Sequence, residues 1–210
     1  MLPVTRGGVF LGYDPGGAGG VAVLDLREDR SRLATASVRS VDEAFGFFRK
    51  ALAGAVPTAA GMDTLLYWET GRGGWRQSDL WLRKRYPDVA KSVVCSNSMY
   101  GAMAVQGMAF AMRLRETWPD LFLCETHPKV LYRALAGRRH SWGPDMDRWL
   151  LHEAGCPDAA PPSNEHEWDA LVSAWAASKW VSGIWTADLR AMSATAVEPA
   201  GRVAYPWPPA

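Results

Sequence analysis

The chain has 210 residues, of which 23 are Lys or Arg, 22 are Asp or Glu and 48% are apolar. Such a length and apolar share allow one domain with a sizeable core and exclude a disordered tail, a collagenous chain and a coiled-coil rod. The formal net charge of +1 argues against a protein that coats nucleic acid through bulk charge, but leaves room for a local basic patch.

The first forty residues read as strands. VFLGYD (Val9 to Asp14), GVAVLDL (Gly20 to Leu26) and RLATASV (Arg32 to Val38) are apolar or β-branched runs separated by short turns, the first of them glycine-rich, as in antiparallel hairpins. Asp42 then caps a predicted helix whose apolar face is Ala44, Phe47, Phe48 and Leu52, and which Gly54 stops. A crossover helix calls for a parallel strand, and AAGMDTLL from Ala59 to Leu66 reads as one buried on both faces.

An irregular stretch from Tyr67 leads into a short basic helix, WRQSDLWLRKRYP. A long helix capped by Asn97 or Ser98 follows and ends before Pro119. LFLCE (Leu121 to Glu125) is another strand, followed by helices from Pro128 and from Pro144, and then by an amphipathic helix running to about Gly183. The predicted organisation is one α/β domain over residues 1–187 and a Pro-rich tail over 188–210.

Cys95, Cys124 and Cys156 are odd in number and far apart, without a C-x-x-C pair, which suits a reducing compartment. No leader pattern and no apolar run of about 18 residues is present. A cytoplasmic protein that does not span a membrane is expected.

Three predicted strands close on or near an acid: Asp14, Asp63 and Glu125. Carboxylates are seldom placed in apolar strands without a partner, and strand ends at one edge of an open α/β sheet share a crevice. A fourth acid, Asp169, lies in the first turn of the last long helix, with Glu165 one turn before it and Ser173 one turn after. Gathered carboxylates repel unless neutralised, and an all-oxygen donor set suits Mg²⁺ or Mn²⁺. Such a site suits phosphodiester hydrolysis, in which two ions about 4 Å apart activate water and hold the leaving oxygen. His166, three residues before Asp169, is the general-base candidate, whereas His127 reads as a structural histidine or an orienter of Glu125.

The order of G-Y-D-P-G-G (Gly12 to Gly17), M-D-T-L (Met62 to Leu65), G-R-G-G-W-R (Gly71 to Arg76), R-K-R-Y (Arg83 to Tyr86), E-T-H-P (Glu125 to Pro128) and W-D-A-L-V-S-A-W (Trp168 to Trp175) resembles the predicted nuclease family known as domain of unknown function 429. The resemblance spans most of the chain. It implies a ribonuclease H-like fold, a mixed five-stranded sheet of three antiparallel hairpin strands followed by parallel crossovers, with flanking helices. It also implies Asp14 as the central metal-bridging carboxylate, Asp63 and Glu125 as further ligands or orienters, and Asp169 as the helix-borne ligand. Glu69 is an alternative to Asp63.

Between Gly71 and Lys91 the cations Arg72, Arg76, Arg83, Lys84 and Arg85 alternate with Trp75, Trp81 and Tyr86. Guanidinium groups for phosphates and flat rings for unstacked bases make this the expected nucleic-acid groove, DNA or RNA, with a solvated basic helix as the simpler alternative. Two other classes compete with a metal-dependent nuclease. One is an ATP-dependent phosphotransferase of the sugar-kinase and actin type, disfavoured because that class needs two copies of the fold; the other is a catalytically silent binding module.

Overall fold

The computed structural model describes residues 7–27, 31–70, 74–94 and 101–209. Strands β1 (Val9–Asp14), β2 (Gly19–Asp25) and β3 (Arg32–Val38) form the antiparallel hairpins expected from their apolar runs. Helix α1 (Val41–Leu52) crosses over to β4 (Ala59–Met62), which pairs with β1 in parallel. Its cap is Ser40 rather than Asp42, the Ser40 hydroxyl accepting from the Glu43 amide. Asp42 falls instead in the first turn, where its charge suits the helix dipole.

Helices α2 (Gln77–Arg85) and α3 (Gly101–Thr117) lead to β5 (Phe122–Glu125), parallel to β4. The predicted caps Asn97 and Ser98 lie outside the described residues. Helices α4 (Pro128–Ala136), α5 (Pro144–Glu153) and α6 (Glu165–Val181) follow. The two-residue strands β6 (Ala187–Asp188), β7 (Val203–Ala204) and β8 (Pro206–Trp207) complete the chain.

The main sheet has the order β3-β2-β1-β4-β5-β7. Three antiparallel strands followed by parallel β4 and β5 on the other side of β1 constitute the ribonuclease H-like arrangement. The sixth strand departs from the five expected. Of the predicted tail over 188–210, the described residues 188–209 belong to the domain: β7 adds to β5, β8 pairs with β6, and Val203, Ala204, Tyr205 and Trp207 are buried. Prolines and two-residue pairings hide such strands from a periodicity reading.

Helix α6 is buried along its whole middle, Glu167 to Ser178, rather than amphipathic. One side lies on the sheet. The other is covered by edge-to-face rings in which Tyr132 meets Trp149 and Trp168, and Trp175 meets Trp149 and Trp185. Much of the unusual complement of 11 tryptophans is therefore packing beneath and beside this helix. On the opposite face of the sheet, Tyr13 and Phe48 pack against Phe110 of α3.

Three glycines permit the close seating of α6. A Cβ on Gly12 would lie 1.8 Å from the Ala170 carbonyl oxygen, one on Gly20 would lie 2.1 Å from that of His166, and one on Gly61 would lie 2.0 Å from that of Ser173. No side chain fits there, so β1, β2 and β4 each present bare backbone to the helix.

Candidate active site

Side chains alternate across a strand, so the residue two beyond a glycine shares its face. Gly12 and Gly61 are register partners on β1 and β4. Asp14 follows the first by two residues, and Asp63 follows the second just past the strand end, its amide donating to the Tyr13 carbonyl at 2.9 Å. Both acids therefore emerge on the α6 side at one level. Asp169 immediately precedes Ala170, whose carbonyl covers Gly12. The same close packing that requires glycine thus brings a helix carboxylate to the ends of two neighbouring strands.

The three carboxylates act on one another. Burial first, and then the charge of Asp14, push the Asp63 carboxyl well above the ordinary carboxylate range. Burial followed by the charges of Asp63 and Asp14 do the same to Asp169. Asp169 is 3% exposed, and its Oδ1 is buried without a hydrogen-bond partner. Asp14 is also raised by burial, opposed by His166, whose Nδ1 lies 2.7 Å from Asp14 Oδ2. That bond, ahead of burial and charge, raises the proton affinity of the His166 ring. His166 is therefore an exposed imidazole held as hydrogen-bond donor to a carboxylate, an arrangement that anchors Asp14 more readily than it frees a general base.

A lysine supplies the positive charge among these acids. Lys129, in the first turn of α4, places Nζ 2.7 Å from Glu165 Oε1, and its charge lowers the proton affinity of Asp14, Asp63 and Asp169. Sequence reasoning missed it, because a single lysine after E-T-H-P carries no distinguishing pattern. Among the described residues no three His, Cys, Asp or Glu side chains stand close enough to form a ready-made ion cage. What the site offers is three hard-oxygen donors from three elements, under mutual repulsion, with one buried oxygen lacking any partner. That donor chemistry fits a divalent cation.

Glu125, whose charge also acts on Asp63, has its own oxygens engaged elsewhere. Arg76 donates to its Oε1 at 2.6 Å and its Oε2 at 2.8 Å, and the Leu66 amide donates to Oε2 at 2.9 Å. Arg76 also holds both oxygens of Asp79, at 2.7 and 2.8 Å, and lies over the Tyr67 ring. At 1% exposure it is the centre of a buried ionic network and not a phosphate-binding cation. Glu125, with both oxygens engaged, is a clamp between β5 and the segment after β4 rather than a free metal ligand. Glu69, the alternative to Asp63, accepts from the Thr195 hydroxyl instead. Glu167, which the sequence did not single out, receives bonds from Thr35, Ser37 and the Ser163 amide and ties the start of α6 to β3.

The basic segment is divided. Arg83 donates to the carbonyls of Ala90 and Val93 at 2.6 and 2.7 Å and lies over the half-buried Trp75 ring. It staples the short 3-10 helix over Pro87–Ser92. Lys84 and Arg85 are exposed, and Trp81 and Tyr86 pack edge-on against each other and near Trp207. Arg72 lies outside the described residues. A cavity of about 250 Å³ has Asp63 in its wall, together with Glu125, Lys91, His127 and Lys129.

No protein-family model matches the chain, and no curated protein does. Two solved structures are similar to it: RuvC of Thermus thermophilus, 17% identical, and T. thermophilus RuvC in complex with a Holliday junction substrate, 16% identical. Each comparison has a TM-score of 0.48 and covers 95% of this chain and 99% of the other. No helix among the described residues is long and apolar enough to cross a membrane.

Proposed function

We propose that this chain is a divalent-metal-dependent nuclease that hydrolyses phosphodiester bonds. What supports the reading is the electrostatic coupling of Asp14, Asp63 and Asp169, carried by β1, the turn after β4 and α6, together with a partnerless buried oxygen on Asp169. Carboxylates held against one another in a partly buried crevice are costly for stability unless they serve a cation or a proton.

Asp14, Asp63 and Asp169 would hold the ion, Mg²⁺ or Mn²⁺, and Glu125 would not. Bound there, such an ion supplies an activated water and neutralises charge on the phosphoryl oxygens. The chain's own residues do the rest. His166 fixes the Asp14 carboxylate through Nδ1. The bare backbone of Gly12, Gly20 and Gly61 fixes α6, and so the height of Asp169. The Lys129 ammonium keeps a cation beside an otherwise anionic crevice that must admit a phosphate. Exposed Lys84 and Arg85 attract the nucleic-acid backbone in a salt-dependent manner.

The test is hydrolysis of a panel of single-stranded, duplex, hybrid and branched nucleic acids with Mg²⁺, with Mn²⁺ and with a chelator. Cutting of at least one substrate that stops on chelation is expected. Failure to cut any of them with either ion, or cutting that persists in chelator, would sink the reading.

A further inference from the structure

Of the 11 tryptophans, Trp142 is the exposed one, at 39%. It lies in the loop between α4 and α5, GRRHSWG from Gly137 to Gly143, which carries Arg138 and Arg139 and no acid. The ring is held in place, its Nε1 donating to Oδ1 of the buried Asp147 at 3.1 Å. No other ring or cation among the described residues pairs with it. An indole fixed by its edge and bare on its faces is a platform for another flat ring.

Arg138 and Arg139 are both exposed. Arg138 donates from Nε to the Tyr132 hydroxyl at 2.6 Å, which uses one of its five N–H groups. Neither arginine has a carboxylate partner among the described residues. Asp88, on which the Arg139 charge acts, is already held by Arg133 at 2.6 Å. Helix α4 does not explain them either, since Gly137 closes it in left-handed backbone at φ 70° and neither guanidinium bonds its last carbonyls. Adjacent like charges with no acid to balance them favour an anionic partner.

The loop adjoins the carboxylates. His140, between the arginines and Trp142, packs edge-on against Tyr132 and Trp168. Its Nδ1 stands 3.7 Å from Glu165 Oε1, the oxygen that Lys129 holds. Glu165 immediately precedes His166, the partner of Asp14.

We propose that this loop docks a single-stranded stretch of nucleic acid, Arg138 and Arg139 contacting its phosphates and one unstacked base lying on the Trp142 ring. A duplex offers phosphates but keeps its bases stacked on one another, so the bare indole favours a single strand. That the docked strand leads to a reacting phosphate rests on the nuclease reading; the docking itself does not.

The test is the anisotropy of fluorescein-labelled oligothymidylate and oligouridylate on binding the full chain, in chelator and over a salt series. Trp142→Leu should weaken binding by about 5-fold or more at an unchanged salt slope, and Trp142→Phe, which keeps a ring without the Asp147 bond, should retain most of it. Arg139→Gln should lower the slope by about 0.7, the loss of one phosphate contact on a single strand, and Arg139→Lys should keep it. Melting temperatures near that of the wild type accompany these results, and the Arg139 pair decides the matter should the Trp142 variants melt early. A wild type that binds neither strand, equal weakening in Trp142→Leu and Trp142→Phe, or an unchanged slope in Arg139→Gln overturns the proposal. So does a duplex that loses as much affinity as the single strands in Trp142→Leu. Cutting by a wild type whose loop variants all bind as it does keeps the nuclease reading and removes the docking loop; loop-dependent binding by a chain that never cuts does the reverse.

Discussion

Gly12 lies so close beneath Ala170 that a methyl group on it would sit 1.8 Å from the Ala170 carbonyl oxygen, with Asp169 the adjoining residue. Backbone cannot yield there as a flexible side-chain tip can. Gly12→Ala should therefore lower stability by about 3 kcal/mol or more, at or above the upper end of usual overpacking penalties, and Gly61→Ala should behave alike. Gly46→Ala, in α1 with nothing within 4 Å of the added carbon, should instead stabilise by roughly 0.5–1 kcal/mol. Urea midpoints of the three variants check this. Equal, small effects at Gly12 and Gly46 would remove the packing argument.

The Arg76–Glu125 contact engages both Glu125 oxygens, unlike those of Asp169. Removing the guanidinium in Arg76→Met leaves Glu125 and Asp79 buried without their cation, and should cost about 3–5 kcal/mol. Glu125→Gln should lower the melting temperature but leave Mn²⁺ affinity within about 3-fold of wild type, since its oxygens already serve Arg76 and Leu66. A Mn²⁺ isotherm showing loss of binding in Glu125→Gln would return this residue to the ligand set.

Asp63 and Asp169 carry carboxyls pushed well above their ordinary range by burial and by their neighbours. A folded-state value raised above the unfolded one means that ionisation opposes folding at neutral pH. Asp169→Asn should accordingly raise the thermal stability of the metal-free protein, by about 1–2 kcal/mol, while abolishing the further stabilisation produced by Mg²⁺ or Mn²⁺. Melting curves with and without the ion distinguish this from a surface acid, whose substitution would change neither.

His127 sets a stability window of the opposite sense. Its ring titrates near the ordinary 6.5 when unfolded and at about 4 when folded, chiefly through burial. Between those values the unfolded chain binds more protons, so this contribution is present above the window and is lost as pH falls through it. Denaturation of wild type and His127→Gln near pH 7 and near pH 4 should show the wild type losing about 1–3 kcal/mol more than the variant on acidification. A parallel loss in both would show that the histidine is not buried neutral.

The legible parts of the molecule were those written in local pattern. Continuous apolar runs marked β1, β4 and β5, and the acids Asp14 and Asp63 stood out because carboxylates are rare in such runs. Pairings across long separations were not legible: Arg76 and Glu125 are 49 residues apart, and a guanidinium looks the same in sequence whether it serves a buried carboxylate or a phosphate. The G-x-D pattern shared by Gly12 to Asp14 and Gly61 to Asp63 was a usable signal, since each glycine marks where α6 touches and each acid lands two residues on, on the same face. The charge balance also reads differently in three dimensions. Of the basic segment, Arg76 and Arg83 are spent on internal contacts, which leaves Lys84, Arg85 and Lys91 exposed.

The measurement that bears most directly on the central claim is the single-turnover cleavage rate of Asp169→Asn against wild type, at saturating Mn²⁺ on whichever substrate the wild type cuts. A folded Asp169→Asn protein is predicted to bind that substrate with near-wild-type affinity and to cut it at least about 10³-fold more slowly, the loss expected when a ligand of a catalytic ion is removed. Cleavage by the folded variant at the wild-type rate would contradict the assignment of Asp14, Asp63 and Asp169 as the catalytic centre.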